Sequence, residues 1–151
     1  MVLAERAGRA NLYRLNRDHL AAPAAEILAG MRTEFLSRLR EAVDGWAVPA
    51  LAVALFGSVA RGEATTESDV DLLVVRPGGT TDDDPVWSDQ VTGLERSVLA
   101  WSGNRAAVLD VSVDDLTDLV RRDAPVLTSL RDDAIDITPR RIRSLLVGSA
   151  R

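Results

Sequence analysis

Two short apolar runs in the middle of the chain, each meeting polar residues at one end, constrain the fold more than anything else in the sequence. Ala50-Leu51-Ala52-Val53-Ala54-Leu55-Phe56 is apolar throughout and is bounded by Pro49 and Gly57. It predicts a buried strand that breaks off at Gly57-Ser58. Val70-Asp71-Leu72-Leu73-Val74-Val75, ended by Pro77-Gly78-Gly79, predicts a second strand with carboxylates at its start. Ala106 to Val113 alternates well enough for a third, and Ala134–Ile137 for a short fourth.

Helical patterns surround these strands. Apolar positions at Leu20, Ala24, Ile27, Leu28, Met31, Phe35, Leu39 and Val43 recur at helical spacing, with Pro23 in the first turn and Asp44-Gly45 at the end. They predict one long amphipathic helix, packed along its apolar stripe on a sheet or a partner. Further helices are expected over Pro85–Trp101, from Asp114-Asp115 through Arg122, and near 125–132 and 139–147. Before the long helix, Val2–Ala4 and Asn11–Leu15 flank a turn at Arg6–Arg9 and predict a hairpin. The expected organisation is a hairpin over 1–19, a connecting helix over 20–44 and a domain over 45–151. A strand-rich centre between helices is an α/β or α+β domain.

Composition removes most ways of doing chemistry. The chain has no cysteine and a single histidine, His19, and all 18 basic residues are arginine. Thiol nucleophiles, Cys-ligated zinc, Ser-His-Asp hydrolysis, lysine Schiff bases and lysine phosphate anchors are therefore out. Catalysis must rest on carboxylates, hydroxyls, arginines, backbone amides and metal ions. No apolar segment approaches a membrane span, and Glu5 and Arg6 interrupt the N-terminus as a signal peptide, so a cytoplasmic protein with no membrane partner is expected.

The residues between the two central strands carry what remains. Glycine at 57 lets a bulky anion approach the main chain, and a helical turn over Val59–Arg61 would point free N–H groups at it. The Ser58 hydroxyl adds a donor and Arg61 a charged fork, so phosphates could be held without lysine. Asp69 and Asp71 are two apart and on a strand share one face. Like charges so placed repel, and a divalent cation such as Mg²⁺ would resolve the conflict. Taken alone, the pair fits an exposed strand end as readily as a metal site.

Taken together, Gly57-Ser58-x-Ala60-Arg61-Gly62-x5-Ser68-Asp69-x-Asp71-Leu72 closely resembles the signature of the minimal nucleotidyltransferases of the polymerase-β-like superfamily. The resemblance implies an α+β fold, a mixed sheet with helices on one face, with the Gly-Ser turn beside the Asp-x-Asp strand. It implies that Gly57 and Ser58, aided by Arg61 and Ser68, bind a nucleoside triphosphate. Asp69 and Asp71 would hold Mg²⁺, as one or two ions, in transfer of a nucleoside monophosphate to a hydroxyl. The family usually has a third carboxylate within an apolar-Asp-apolar pattern on a neighbouring strand. Leu109-Asp110-Val111 fits, making Asp110 the expected third metal ligand or proton acceptor; a strand-end aspartate facing water is the alternative. Asp114 and Asp115 read as helix-capping residues and Asp82, Asp83 and Asp84 as solvated loop charge. Trp46, Trp87 and Trp101 read as packing residues, His19 as a surface residue, and Trp101–Asn104 as a turn near the site.

Residues 2–20 resemble the wing of a winged helix-turn-helix regulator. Within 2–17, Arg6, Arg9, Arg14 and Arg17 stand against Glu5 alone, although the whole chain carries a net charge of −5. The resemblance covers no recognition helix, so DNA binding by this chain is expected to be weak or absent, and the hairpin could instead serve a homodimer contact. A nucleotide-sensing, non-catalytic regulatory module is therefore the alternative to an enzyme. The acceptor could be a small molecule such as an antibiotic, an RNA, or a protein in a toxin–antitoxin setting.

Overall fold

The computed structural model describes residues 1–148. The chain divides into two compact units, Met1–Leu36 and Ser37–Arg151, with the boundary inside one helix. That helix, α1, runs Ala22–Asp44. The division falls at 36/37 and not at the helix end because Leu39 and Val43 are buried in the second unit.

In the first unit, β1 (Val2–Ala7) and β2 (Ala10–Leu15) pair antiparallel from Val2↔Leu15 to Ala7↔Ala10. The strands run closer to the turn than expected, leaving Gly8-Arg9 to reverse the chain, with Gly8 at φ +63°. Arg14 pairs with Glu5 at 2.7 Å across the ladder and Arg17 with Glu26 at 2.6 Å. His19 is exposed, and its Nδ1 accepts from the Ala21 amide just before α1. The expected apolar stripe of the helix is only half used. Leu20, Ile27, Leu28 and Met31 are exposed, whereas Leu39 and Val43 are buried. Helical periodicity records which residues share a face; it does not record whether anything covers that face.

The second unit is built on a four-stranded sheet in the order β5-β4-β3-β6. Its strands are β3 (Ala52–Phe56), β4 (Val70–Val75), β5 (Ala106–Val111) and the short β6 (Ile135–Asp136). β3 is antiparallel to β4 and β6, while β4 and β5 are parallel, so the sheet is mixed as expected. The remaining helices are α2 (Gly57–Arg61), α3 (Pro85–Ser102), α4 (Val113–Arg121), α5 (Val126–Asp132) and α6 (Ile142–Gly148).

Side chains alternate along the strands and supply two cores. Ala52, Ala54, Phe56, Leu73, Val75 and Val111 pack with Leu116 of α4, Leu127 and Leu130 of α5, and Ile142 and Leu146 of α6. Val53, Leu55, Leu72 and Val74 point the other way, toward the side of α3, which buries Trp87, Leu94 and Val98. Helices thus lie on both faces, where one face was expected. The cause is in β3 and β4 themselves, whose residues Ala52–Phe56 and Leu72–Val75 are apolar at every position and need cover on each side. Trp46 packs edge-on against Trp87, with ring centroids 5.3 Å apart, consistent with a packing role.

One helix cap differs from expectation and another, which does use Asp115, has a different N-cap residue. Asp84 is not free loop charge, because its Oδ1 accepts from the Trp87 amide at 3.0 Å and caps α3. For α4 the N-cap is Ser112, which accepts from the Asp115 amide, while the Asp115 carboxylate returns to the Ser112 amide and hydroxyl. Asp114 follows within the first turn. These bonds to Ser112, helped by the nearby Arg76 charge, hold the Asp115 carboxyl below its ordinary pKa. Among the described residues no helix is long and apolar enough to cross a membrane.

Replacing Ser112 by Ala removes the hydroxyl half of the reciprocal cap, leaving only the backbone amide bond to the Asp115 carboxylate, and should cost about 1 kcal/mol of stability. Thermal unfolding checks this, with an expected drop in Tm of about 2–4 °C.

Candidate active site

The site forms where β3 gives way to α2 beside the start of β4. Phe56 pairs with Asp71 across the antiparallel ladder, so the residue after Phe56 comes level with the Asp71 side chain. That residue is Gly57, at φ +72°, in the left-handed region that favours glycine. A Cβ built there would collide with Oδ2 of Asp71 and lie 3.0 Å from its Cγ. The turn and the carboxylate are therefore in van der Waals contact, and only glycine permits it. Gly62 ends α2 at φ +77° and bonds back to Ser58 and Val59, closing a single compact turn that contains Ser58 and Arg61.

Asp69 lies just before β4 and is exposed, while Asp71 is half-buried within it. Burial pushes the Asp71 carboxyl above its usual pKa, the Asp69 charge pushes it further, and the Arg61 charge pulls it back. The Asp71 carboxylate thus feels one neighbouring carboxylate and one guanidinium. The Arg61 guanidinium is held on two sides, by Glu63 at 2.7 Å through Nε and by Asp133 at 2.8 Å through Nη1. Both bonds, Glu63 first, raise its pKa further and keep it cationic.

Two expected site residues are placed elsewhere. The Ser68 hydroxyl works inside its own loop, accepting from the Thr65 amide at 2.9 Å and sharing a hydrogen bond with the Thr65 hydroxyl at 3.2 Å. Asp110 is on the opposite face of the sheet. The β4–β5 register pairs Asp71 with Ala107, Leu73 with Leu109 and Val75 with Val111, whereas Asp110 is level with Val74. Strand alternation sends it toward α3, where Oδ2 accepts from Trp87 Nε1 at 2.9 Å and pairs with Arg76 at 3.2 Å. Arg76, buried, also reaches Asp115 at 3.3 Å. Beside Asp71 on β5 stands Ala107.

One contributor escaped the reading of the sequence beyond its place in a turn. Asn104 follows Gly103, the left-handed C-cap of α3 at φ +76°, and its Nδ2 donates to the Thr65 and Ser68 carbonyls. Among the described residues no three carboxylate or histidine side chains gather as a metal site. The carboxylates that could hold a cation here are Asp69 and Asp71, and Mg²⁺ is often held by one or two carboxylates with substrate phosphates completing its shell.

Residues 34–124 match the nucleotidyltransferase domain family. The chain belongs to that family. It is similar to a solved structure described as a minimal nucleotidyltransferase, at 31% identity over 73% of this chain and 92% of that one, with a TM-score of 0.41. A mutant of the toxin–antitoxin pair MntA–HpeT, carrying two Asp-to-Glu substitutions, aligns at 12% identity over 76% of this chain and 83% of the other, with a TM-score of 0.50. A toxin–antitoxin structure with AMP-PNP aligns at 15% identity, over 76% and 83%, with a TM-score of 0.48. No curated protein matches the chain. The nucleotidyltransferase fold thus carries the Gly-Ser turn and the aspartate pair together, and the protein is a nucleotidyltransferase enzyme.

Gly57→Ala should cost about 1–2 kcal/mol for the left-handed backbone alone, with further loss as Asp71 is pushed aside. Calorimetry and nucleotide titration should both register it. Asp110→Ala should behave differently. It should destabilise by about 2 kcal/mol, below the full cost of orphaning a buried charge, because Asp115 still faces Arg76 and the Asp110 side chain is 21% exposed. Nucleotide and divalent-cation affinity should stay within about twofold, because Asp110 touches neither the turn nor the aspartate pair.

Proposed function

We propose that the protein transfers a nucleoside monophosphate from a nucleoside triphosphate to a hydroxyl group in a Mg²⁺-dependent reaction. The contact between Gly57 and Asp71, with the Asp69 charge bearing on the same carboxylate, carries this reading. Without a cation, crowding at Asp71 is a cost to the folded protein. With one, the same crowding becomes a ligand set.

The residues divide the work by their chemistry. Gly57 admits the β- and γ-phosphates close to the main chain, and Ser58 donates a hydroxyl to them. Arg61, fixed as a cation by Glu63 and Asp133, supplies charge that favours the polyphosphate. Asp69 and Asp71 would hold Mg²⁺, which supplies charge neutralisation at the α-phosphate and the departing pyrophosphate. The acceptor oxygen bonds to the α-phosphorus as the α–β bridging bond breaks. Pyrophosphate leaves, and the hydroxyl proton passes to water, since Asp110 lies across the sheet. The chain's contribution is alignment and fixed charge. The Ser68 hydroxyl acts one step removed, by shaping the loop that presents Asp69. The basic hairpin over 1–19 supports a secondary role in contacts with a second copy or another partner.

Incubation with each α-³²P-labelled nucleoside triphosphate and a cell extract tests the proposal. Label should move to an acceptor with Mg²⁺ and not with excess EDTA. Asp69→Asn and Asp71→Asn should each lower transfer by at least about a hundredfold. Unchanged labelling by the double variant would overturn the assignment.

Asp71→Asn should also separate stability from function. A carboxyl whose pKa is raised on folding favours the folded state when protonated, so ionised Asp71 weakens the metal-free fold at neutral pH. That penalty is absent below the unfolded pKa and sets in as pH rises from there through the folded value. The Asn variant should therefore have the higher Tm at pH 7 in EDTA, and the difference should vanish below the ordinary carboxylate range.

A further inference from the structure

Asp69 sits at the end of a loop, Gly62 to Asp69, that has no regular secondary structure beyond turns. A metal ligand on such a loop needs something to fix it. The loop's internal bonds, Ser68 to Thr65, close one turn but do not tie that turn to the sheet. The tie comes from the segment between α3 and β5. The Asn104 side chain donates from Nδ2 to the Thr65 carbonyl at 3.1 Å and to the carbonyl of Ser68, the residue immediately before Asp69. Next along, the Arg105 carbonyl accepts from the Val70 amide at 2.8 Å, immediately after Asp69. Asp69 is therefore held on either side by consecutive residues of one segment, 104 by side chain and 105 by backbone.

Asn104 is itself fixed. Gly103 caps α3 in the left-handed conformation, and the Asn104 amide donates to Ser102 Oγ at 3.1 Å, while Ser102 Oγ donates to the Val98 carbonyl at 2.7 Å. The end of an 18-residue helix is thus connected through one amide group to both carbonyls of the loop. Among uncharged side chains, asparagine suits this place because its NH₂ offers two donors on a short stem.

We infer that Asn104 is the positioning residue for Asp69, holding the Thr65–Ser68 turn so that the Asp69 carboxylate is presented beside Asp71. The inference rests on the reading of Asp69 as a cation ligand. Asn104 touches neither nucleotide nor cation; it acts through the loop backbone.

Mn²⁺ titration of the metal-free protein, followed by calorimetry or by the Mn²⁺ paramagnetic resonance signal, tests this without any acceptor or turnover. Asn104→Leu removes both donors without adding charge. Asn104→Asp keeps the shape but sets an anion against two carbonyls. Both should bind Mn²⁺ about tenfold more weakly, with Tm held within about 3 °C of the unaltered protein. In transfer assays the KM for the metal–nucleotide should rise while kcat at saturating Mn²⁺ largely recovers. The Asp variant separates positioning from bulk electrostatics, because an added negative charge near the pair would by itself tighten cation binding. Unchanged affinity in both variants, or tighter binding by the Asp variant, overturns the inference, as does failure of both to fold. Absence of Mn²⁺ binding by the unaltered protein would instead overturn the metal reading of Asp69 and Asp71.

Discussion

The close approach of the Gly57 backbone to the Asp71 carboxylate is the constraint on which the rest of the site depends. It requires β3 and β4 to be antiparallel neighbours in the register that pairs Phe56 with Asp71. It also requires a residue without a side chain at φ +72°. Because both strands are apolar on each face, polarity alone does not fix the register there; the polar residue is Asp71, which a slip of one residue would turn toward the α3 side. The packing that stabilises the domain and the placement of the Gly57-Ser58 turn against Asp71 thus follow from the same strand pairing.

Electrostatics then follow a consistent logic in a chain without lysine. The aspartate pair concentrates negative charge, and the nearest cation, Arg61, is bound by Glu63 and Asp133 rather than left to collapse onto Asp71. A guanidinium held at two nitrogens retains donors for a polyphosphate, which a point-charge ammonium so engaged would offer with less directionality. Just past the far end of β4 the same residue type does structural work. Arg76 is buried and shared between Asp110 and Asp115, with Trp87 donating to Asp110. The length of β4 therefore separates two acidic clusters, one at Asp69 and Asp71 and one around Arg76. In the latter, a buried arginine bridges both carboxylates and an indole N–H donates to one of them; the former faces Arg61, already engaged by Glu63 and Asp133.

That separation marks how far the sequence could be read. The strands at 52–56 and 70–75, the turn at 57–62 and the aspartate pair were legible because each is a local pattern, set by apolar runs, glycines and i, i+2 spacing. The face on which Asp110 lies was not legible. It depends on the parallel register between β4 and β5, a long-range pairing that sets Ala107 rather than Asp110 beside Asp71. An apolar-Asp-apolar pattern reads the same whether the aspartate faces a metal or an arginine. The exposed stripe of Leu20, Ile27, Leu28 and Met31 escaped for a related reason, since a 3.6-residue period records amphipathicity and not its partner. Ser112 was missed as the cap because Asp114 and Asp115, both good capping residues, follow it directly, and only the backbone turn decides which of the three is the N-cap.

The arrangement around Asp69 shows why a site of this kind accepts instability. Burial disfavours charge at Asp71, and a second carboxylate, the exposed Asp69 on an irregular loop, adds to that cost. Nothing within the pair stabilises that geometry; it is imposed from outside, by Gly57 beneath Asp71 and by the ties at 104 and 105 to the segment preceding β5. A domain that buries the apolar side chains of β3 and β4 on both faces can sustain such a local cost. Relaxing the geometry would let the carboxylates separate, and the electrostatic strain would fall. The site would then have lost the very crowding that the proposed divalent cation would relieve.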